Sequence, residues 1–439
     1  MLKTLVGAFK NKDIRKKILY TLMILVIVRV GSLLPIPGVD TEYFSSLLSG
    51  INTGDLSYLS AFTGGSFERM SLFALSITPY ITSSIIMQLL AIAIPKLEEM
   101  QKEGEDGRKK IASITRYVTI GLSLIESIAM AVGFGRSGLI KDSAQLSTLH
   151  YVVCIIVVIA ALTAGSAVLM WLGERITEKG VGNGISIVLL INIISGMPSD
   201  FATLYSTFVA PKTPAKGVLA AVIILAILIV MVVLVCFLQD GERRIPVQYS
   251  QKVSGRRTVG GQSTNIPLKV NTAGVMPIIF ASSLMQFPVI IAQLFGKSYE
   301  WTRYLSSSYW CRVEAPKYSI GLLVYIVLLI IFAYFYTSIT FNPIEVADNL
   351  KKAGGVIPGI TPGKSTSEYL NKILTHIVFI GAVGLLIIAL IPIMCTGFFN
   401  ASVSFSGTSI IIIVGVVLET LKQIESQMCN RYYKGFLSE

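Results

Sequence analysis

Charge is scarce in this chain. Asp, Glu, Lys and Arg supply only 14% of its 439 residues, where a soluble domain carries about a quarter, and the mean hydropathy is +0.70. That shortage excludes an ordinary soluble globular protein and points to an integral membrane protein. Histidine is nearly missing: His150 and His376 stand alone at segment ends and are most simply interfacial. The cysteines Cys154, Cys236, Cys311, Cys395 and Cys429 are scattered without a CxxC pair, so neither a disulfide framework nor a metal site is expected. Catalytic constellations are lacking as well. The run GITPGKST (359–366) looks like a phosphate loop, yet GxxxxGK[ST] requires glycine at 358, where Pro358 stands. Gly180, Gly182 and Gly184 follow no strand pattern, which disfavours a nucleotide fingerprint and suits a tight turn into an apolar segment. No cofactor is therefore expected, and the energy for any work must come from a partner or a gradient. After the basic start at 1–17 the apolar run leads into PIPG rather than a small-residue cleavage site, so no cleavable signal peptide is expected.

What the chain does have is long apolar runs. Ten spans are expected, at roughly 18–34, 72–94, 117–134, 151–172, 185–197, 218–238, 273–295, 318–339, 373–394 and 409–421. Most suit a tilted helix crossing a bilayer, while the fifth and tenth are short. The connections leave no room for a separate soluble domain. Placing the N-terminus inside and alternating puts 27 Lys and Arg on inside segments and nine on outside ones, with Arg29 within the first span. That threefold excess predicts cytoplasmic termini at both ends.

The stretch 61–97 organises the rest. It opens on Thr63, Gly64, Gly65 and Ser66, passes Glu68 and Arg69, and turns apolar from Leu72 to Ile94. Pro79, Thr82, Ser83, Ser84 and Gln88 fall in mid-span, the makeup of a helix facing a water-filled path. A buried bundle helix whose hydroxyls bond back to their own carbonyls reads the same way. The pattern Pro79-x-Ile81-x-x-Ser84-x-x-Met87-Gln88 returns in the seventh span as Pro277-x-Ile279-x-x-Ser282-x-x-Met285-Gln286. These matches lie five spans apart on helices of opposite direction, which fits two inverted halves meeting at a midplane path.

Charges inside the spans are few. Arg29 lies one turn from the outer end of the first span and is expected to snorkel outward. Glu126, central in the third span, marks a site or a polar seam between helices. An ion-coupled secondary transporter, the alternative reading, would usually show more such residues. Two cytoplasmic loops stand out. Loop 239–269 carries Arg243, Arg244, Lys252, Arg256, Arg257 and Lys269 against only Asp240 and Glu242. Loop 341–372 holds Lys351, Lys352, Lys364 and Lys372 around a helical ADNLKKAG piece with Pro and Gly punctuation. Positive-inside topology accounts for their charge but not for their length and turn-rich, aromatic-containing sequence. Such loops suit docking to an acidic surface such as ribosomal RNA.

Several runs are long enough to carry a family resemblance: PIPGVD (35–40), TPYITSSIIMQLL (78–90), EGEDGRKKI (103–111), GERITEKGVGNGISI (173–187), RRIPVQYSQKV (243–253), STNIPLKVNTAGVMPIIFASS (263–283) and FNPIEVADNLKKAGGVIPGI (341–360). In order, from first span to tenth, they resemble the SecY family, the large subunits of protein-conducting channels. The resemblance implies an all-α integral membrane protein, with ten transmembrane helices in two inverted halves, 1–205 and 206–439, around a central pore. Unfolded secretory chains with signal sequences would cross through its centre, and membrane helices would leave sideways into the lipid bilayer. It implies an apolar pore ring of Ile77, Ile81, Ile185, Leu189, Ile279 and Ile412. It implies a plug at about 54–70 that includes Gly64, Gly65, Ser66, Glu68 and Arg69, and a lateral gate near Gln88, Glu126, Ser283 and Gln286. The basic loops would dock the SecA motor and the ribosome, SecE and SecG would be the small membrane partners, and the location would be the bacterial cytoplasmic membrane. One departure matters: an arginine prominent in the family's second loop aligns with Thr361 here.

Overall fold

The computed structural model describes residues 9–50, 63–135, 140, 147–210, 214–249, 252–254, 257–259, 263–294, 300–306, 309–311, 316–399 and 407–434. Its helices are α1 (Lys12–Leu33), α2 (Thr41–Gly50), α3 (Thr78–Ala93), α4 (Pro95–Lys102), α5 (Glu105–Gly135), α6 (Thr148–Lys179), α7 (Gly184–Leu204), α8 (Pro214–Asp240), α9 (Met276–Leu294), α10 (Glu300–Leu305), α11 (Ile320–Thr340), α12 (Pro343–Lys352), α13 (Lys364–Phe399) and α14 (Gly407–Lys434). A helix overlaps each of the ten expected spans. Among the described residues six helices could cross a membrane by length and apolarity alone, and a seventh if α3 and α4 count together across their 106° bend. The apolar runs expected to be short lie in helices that are not: α7 has 21 residues and α14 has 28.

Local chemistry explains where the helices start. Asn11, Asn183 and Asn342 each accept a hydrogen bond from the second backbone N–H beyond them, capping α1, α7 and α12. Pro79 stands in the first turn of α3, and Pro277 is the second residue of α9. The mid-span proline expected from sequence is thus a helix-start proline, whose missing N–H frees no backbone group. The repeat-related prolines begin their helices alike. Ahead of α3 the chain runs through tight turns from 64 to 77, tied back to the end of α1 by Ile36 N to Met70 O (3.1 Å) and Leu72 N to Leu34 O (2.9 Å).

Hydroxyls join α3, α5 and α6. Ser83 Oγ donates to Thr115 O (2.9 Å) and lies 2.7 Å from Thr119 Oγ1, while Thr163 Oγ1 donates to Ser127 Oγ (3.1 Å). Of the two readings of the polar residues, Thr82 bonds back to Thr78 O, whereas Ser83 reaches a neighbouring helix. The turn from α6 into α7 needs its glycines. Gly182 sits at φ +80°, and a Cβ on Gly184 would lie 1.9 Å from Gly173 O.

The largest apolar cluster draws on α1, α3, α6 and α7 as well as α8, α9, α11, α13 and α14. Both expected halves therefore share one core. Their expected boundary at 205–206 falls at the π-helical turn Tyr205–Val209.

The basic loops are not helical throughout. Strand β1 (Glu242–Tyr249) pairs antiparallel with β4 (Ser263–Lys269), in register from Glu242 with Lys269 to Gln248 with Ser263. Its far end pairs with β5 (Gly355–Val356) of the second loop. A separate short hairpin joins β2 (Lys252–Ser254) and β3 (Arg257–Val259). The all-α expectation holds for the helices, with these short strands confined to the two loops. Ile245 and Val247 point inward between the exposed Arg244, Pro246 and Gln248, and pack with Leu268, Leu350, Ile357 and Leu370. The two loops are one platform over the end of α13.

Candidate functional site

The six expected ring residues come from four places in the chain. Ile77 is the residue before α3 and Ile81 lies one turn into it. Ile185 and Leu189 are one turn apart at the start of α7, Ile279 lies in the first turn of α9, and Ile412 in the second turn of α14. All six belong to the one large apolar cluster. Ile77, Leu189, Ile279 and Ile412 are buried in it, and Ile81 and Ile185 pack partly buried against it. Spacing of four residues explains the pairs on α3 and α7, because residues i and i+4 share a helix face.

On one side of this cluster is a cavity of about 310 Å³ lined by Arg29, Gly64, Gly65, Glu68, Arg69, Asp200 and Ser409, among others. Ile193 and Ile413 line it too and also belong to the apolar cluster. Gly64, Gly65, Glu68 and Arg69, expected in the plug, thus line a polar chamber directly against the apolar core. Ser66 is buried with no hydrogen-bond partner for its Oγ. The rest of the expected plug, 54–62, lies outside the described residues. Asn192 and Ser76 are both buried, with Asn192 Nδ2 donating to Ser76 Oγ at 3.1 Å. Arg29 is partly buried and lines this cavity. Its Nη1 is buried without a hydrogen-bond partner, and it turns toward Gly64, whose Cβ, if present, would lie 3.1 Å away.

The expected gate residues lie on three helices that meet. Helix α9 touches both α3 and α5, and packs along α11 on its other side. Gln88 on α3 donates weakly to Ser84 Oγ (3.4 Å), leaving its buried Oε1 without a partner. Glu126 on α5 is half-buried, as is Ser283 on α9. Gln286 belongs to α9, and its side chain lies outside the described residues.

On the platform Arg243 and Arg244 are exposed on β1. Arg244 Nη2 pairs with Glu242 Oε1 at 2.6 Å, which leaves Arg243 as the more available charge. Lys351 and Lys352 are exposed in the last turn of α12, where cations suit the helix dipole. Lys364 is exposed at the start of α13, near the exposed Thr361, whose carbonyl accepts from Thr366 Oγ1. Arg256 and the side chains of Lys252 and Arg257 lie outside the described residues. The sequence reading missed an aromatic cap between α9 and α11. There Trp310 Nε1 donates to Tyr304 O (2.9 Å) and Tyr304 meets Tyr318 edge-on at 5.0 Å. The signal was the density of Tyr and Trp in 301–318.

Fold and site together define a helical membrane protein with an apolar seam shared among its helices, a polar chamber against that seam, and a basic platform on two joined loops. The chain belongs to the SecY family, whose model matches residues 71–421. It is 43% identical to the protein translocase subunit SecY of Streptomyces galbus, with all of both chains covered. It is 42% identical to that of Halalkalibacterium halodurans, again over the whole of both, and 40% identical to that of Staphylococcus aureus over 99% of each. Among solved structures the fold is similar to one described as a protein conducting channel, with a TM-score of 0.61 at 17% identity over 94% of this chain and 92% of that one. It is also similar to Sec61 in a canine ribosome-channel complex, with a TM-score of 0.56 at 16% identity over 94% and 92%.

Proposed function

We propose that this chain is the channel-forming subunit of a cytoplasmic-membrane protein translocase. In this reading ten helices, arranged as two inverted halves with both termini cytoplasmic, open and close about the π-helical turn Tyr205–Val209. Unfolded secretory chains pass between the halves, and apolar helices leave through the seam of α3 and α5 against α9 and α11. Gln88, Glu126, Ser283 and Gln286 border that seam, where unpaired polar groups such as Gln88 Oε1 are satisfied once a substrate or water enters.

The observation that carries the reading is the convergence of Ile77, Ile81, Ile185, Leu189, Ile279 and Ile412 on one apolar cluster that borders the polar chamber. A pore that admits a polypeptide must still exclude ions when idle. Branched aliphatic side chains do this by dewetting a narrow gap, and they deform around a substrate without offering it hydrogen bonds. The plug base at 63–70 closes the outer side of that ring. The joined basic platform provides the docking face for the SecA motor and for ribosomal RNA, and SecE and SecG complete the membrane complex. Relatives named as translocase subunits over their whole length support this reading, and nothing favours the transporter alternative.

A photo-crosslinking residue at Ile81 or Ile185 tests it. A precursor stalled in transit crosslinks at both positions and not at Leu225, which faces outward on α8. Equal crosslinking at Leu225, or uptake of a small solute by vesicles without any precursor, contradicts the channel.

A further inference from the structure

We propose that the loop joining α9 to α11 docks the phosphate of an anionic lipid in the outer leaflet, through Arg303 and Lys317. This rests on the topology of the channel reading, which puts the loop outside. Nine Lys and Arg fall on the outside segments. Four of them, Lys297, Arg303, Arg312 and Lys317, lie in 296–319 against only Glu300 and Glu314. Positive-inside topology disfavours cations here, so it does not account for them. The aromatic cap holds two of these charges on a fixed floor. Trp310 Nε1 donates to Tyr304 O (2.9 Å), and both pack on the first turn of α11, where a Cβ on Gly321 would overlap that carbonyl. Cys311 N donates to Ser319 Oγ (3.3 Å). Arg303 Cζ stands 5.9 Å over the Tyr309 ring and Lys317 Nζ 5.2 Å over the Tyr318 ring. Those two rings meet edge-on with centroids 6.0 Å apart, so the cations share one small patch.

A ring face holds a cation without neutralising it. Neither cation forms an ion pair with a carboxylate among the described residues. Glu300, one turn before Arg303, acts on it only after the Tyr318 and Tyr309 hydroxyls. The edge of the bilayer is marked just below. Ile320, Leu323, Val324, Val327 and Ile331 are all exposed, and their spacing puts them on one face of α11. This apolar stripe begins three residues after Lys317. Trp301, 45% exposed and two residues before Arg303, is the kind of amphipathic ring that sits at headgroup level. Two cations side by side at the end of an apolar stripe match a phosphate with its acyl chains alongside. A soluble anion would use the charges and not the stripe. An apolar partner helix would use the stripe and not the charges.

The test places the full chain and its membrane partners in phosphatidylcholine vesicles containing brominated phosphatidylglycerol or, separately, brominated phosphatidylcholine. Bromine quenches tryptophan only at contact, and the part of the quenching that Trp301→Phe removes belongs to the cap. Brominated phosphatidylglycerol is expected to quench Trp301 more strongly at equal mole fraction. Each cation beside an anionic headgroup favours it by about fivefold. Lys317→Gln should therefore cut the preference about fivefold, and Arg303→Gln with Lys317→Gln should remove it. Both side chains are exposed, so neither change should lower the melting temperature. Equal quenching by the two lipids, a preference that survives the double change, or one that soluble glycerol phosphate abolishes overturns the proposal. So does a Trp301 that neither lipid reaches, which would mark a protein partner on this face. Identical leaflets make the readout independent of orientation, so a reporter near Arg303 that reads cytoplasmic contradicts the channel topology and not the lipid contact.

Discussion

Replacing Ile412 by asparagine separates a pore lining from an ordinary core. Ile412 is 1% exposed. Asn at this position loses about 2 kcal/mol of apolar burial and, where its amide finds no partner, adds about 2 kcal/mol of unsatisfied polarity. If Ile412 lines the ring, that total of about 4 kcal/mol falls on the closed state alone, because opening hydrates the amide. The closed-to-open balance then shifts by two to three orders of magnitude, at about 1.4 kcal/mol per tenfold. Idle conductance in a planar bilayer rises at least tenfold, precursors with defective signal sequences pass more readily, and the melting temperature is unchanged. If Ile412 is only core, the same free energy is lost from folding, which spans about 5–15 kcal/mol in all. Melting then falls by several degrees at least with no gain in conductance, and that result refutes the seal.

Arg243→Glu combined with Arg244→Glu should weaken ribosome binding at low salt without changing the melting temperature, since both side chains are exposed on β1. Arg243→Glu alone should account for most of the loss, because Arg244 is already paired with Glu242. Reporters fused after Lys269 or Lys372 should read cytoplasmic and one near Arg303 external; a reversed pattern at any of these rejects the ten-span topology. Gly184→Ala should lower stability by at least about 2 kcal/mol, because its Cβ would lie 1.9 Å from Gly173 O, and an unchanged melting curve would show that the α6–α7 turn yields freely.

The apolar spans were legible because lipid demands long apolar runs, and the positions of α5, α6, α8, α11 and α13 follow from that demand alone. The repeat was legible too, and the shared start of α3 and α9 at Pro79 and Pro277 adds geometry to it. What Pro79 does was misread, since hydropathy runs smoothly from Leu72 and hides the turns that precede Thr78. The platform was visible as charge but not as a sheet. The alternation Arg244, Ile245, Pro246, Val247, Gln248 carried that signal, masked by a proline, while its pairing with β5 joins segments about 100 residues apart that no local pattern relates. Arg29 illustrates a different limit. A sequence shows how far a charge lies from a span's end, but not which way its side chain turns, and here the close approach of Gly64 to α7 puts that glycine beside it.

The most direct test is import of a secretory precursor into vesicles holding this chain, SecE, SecG, SecA and ATP. The account predicts that the precursor becomes protected from external protease, dependent on its signal sequence, and that the vesicles take up no small solute in its absence. Solute uptake driven by an ion gradient, with the precursor left fully degradable, would contradict it.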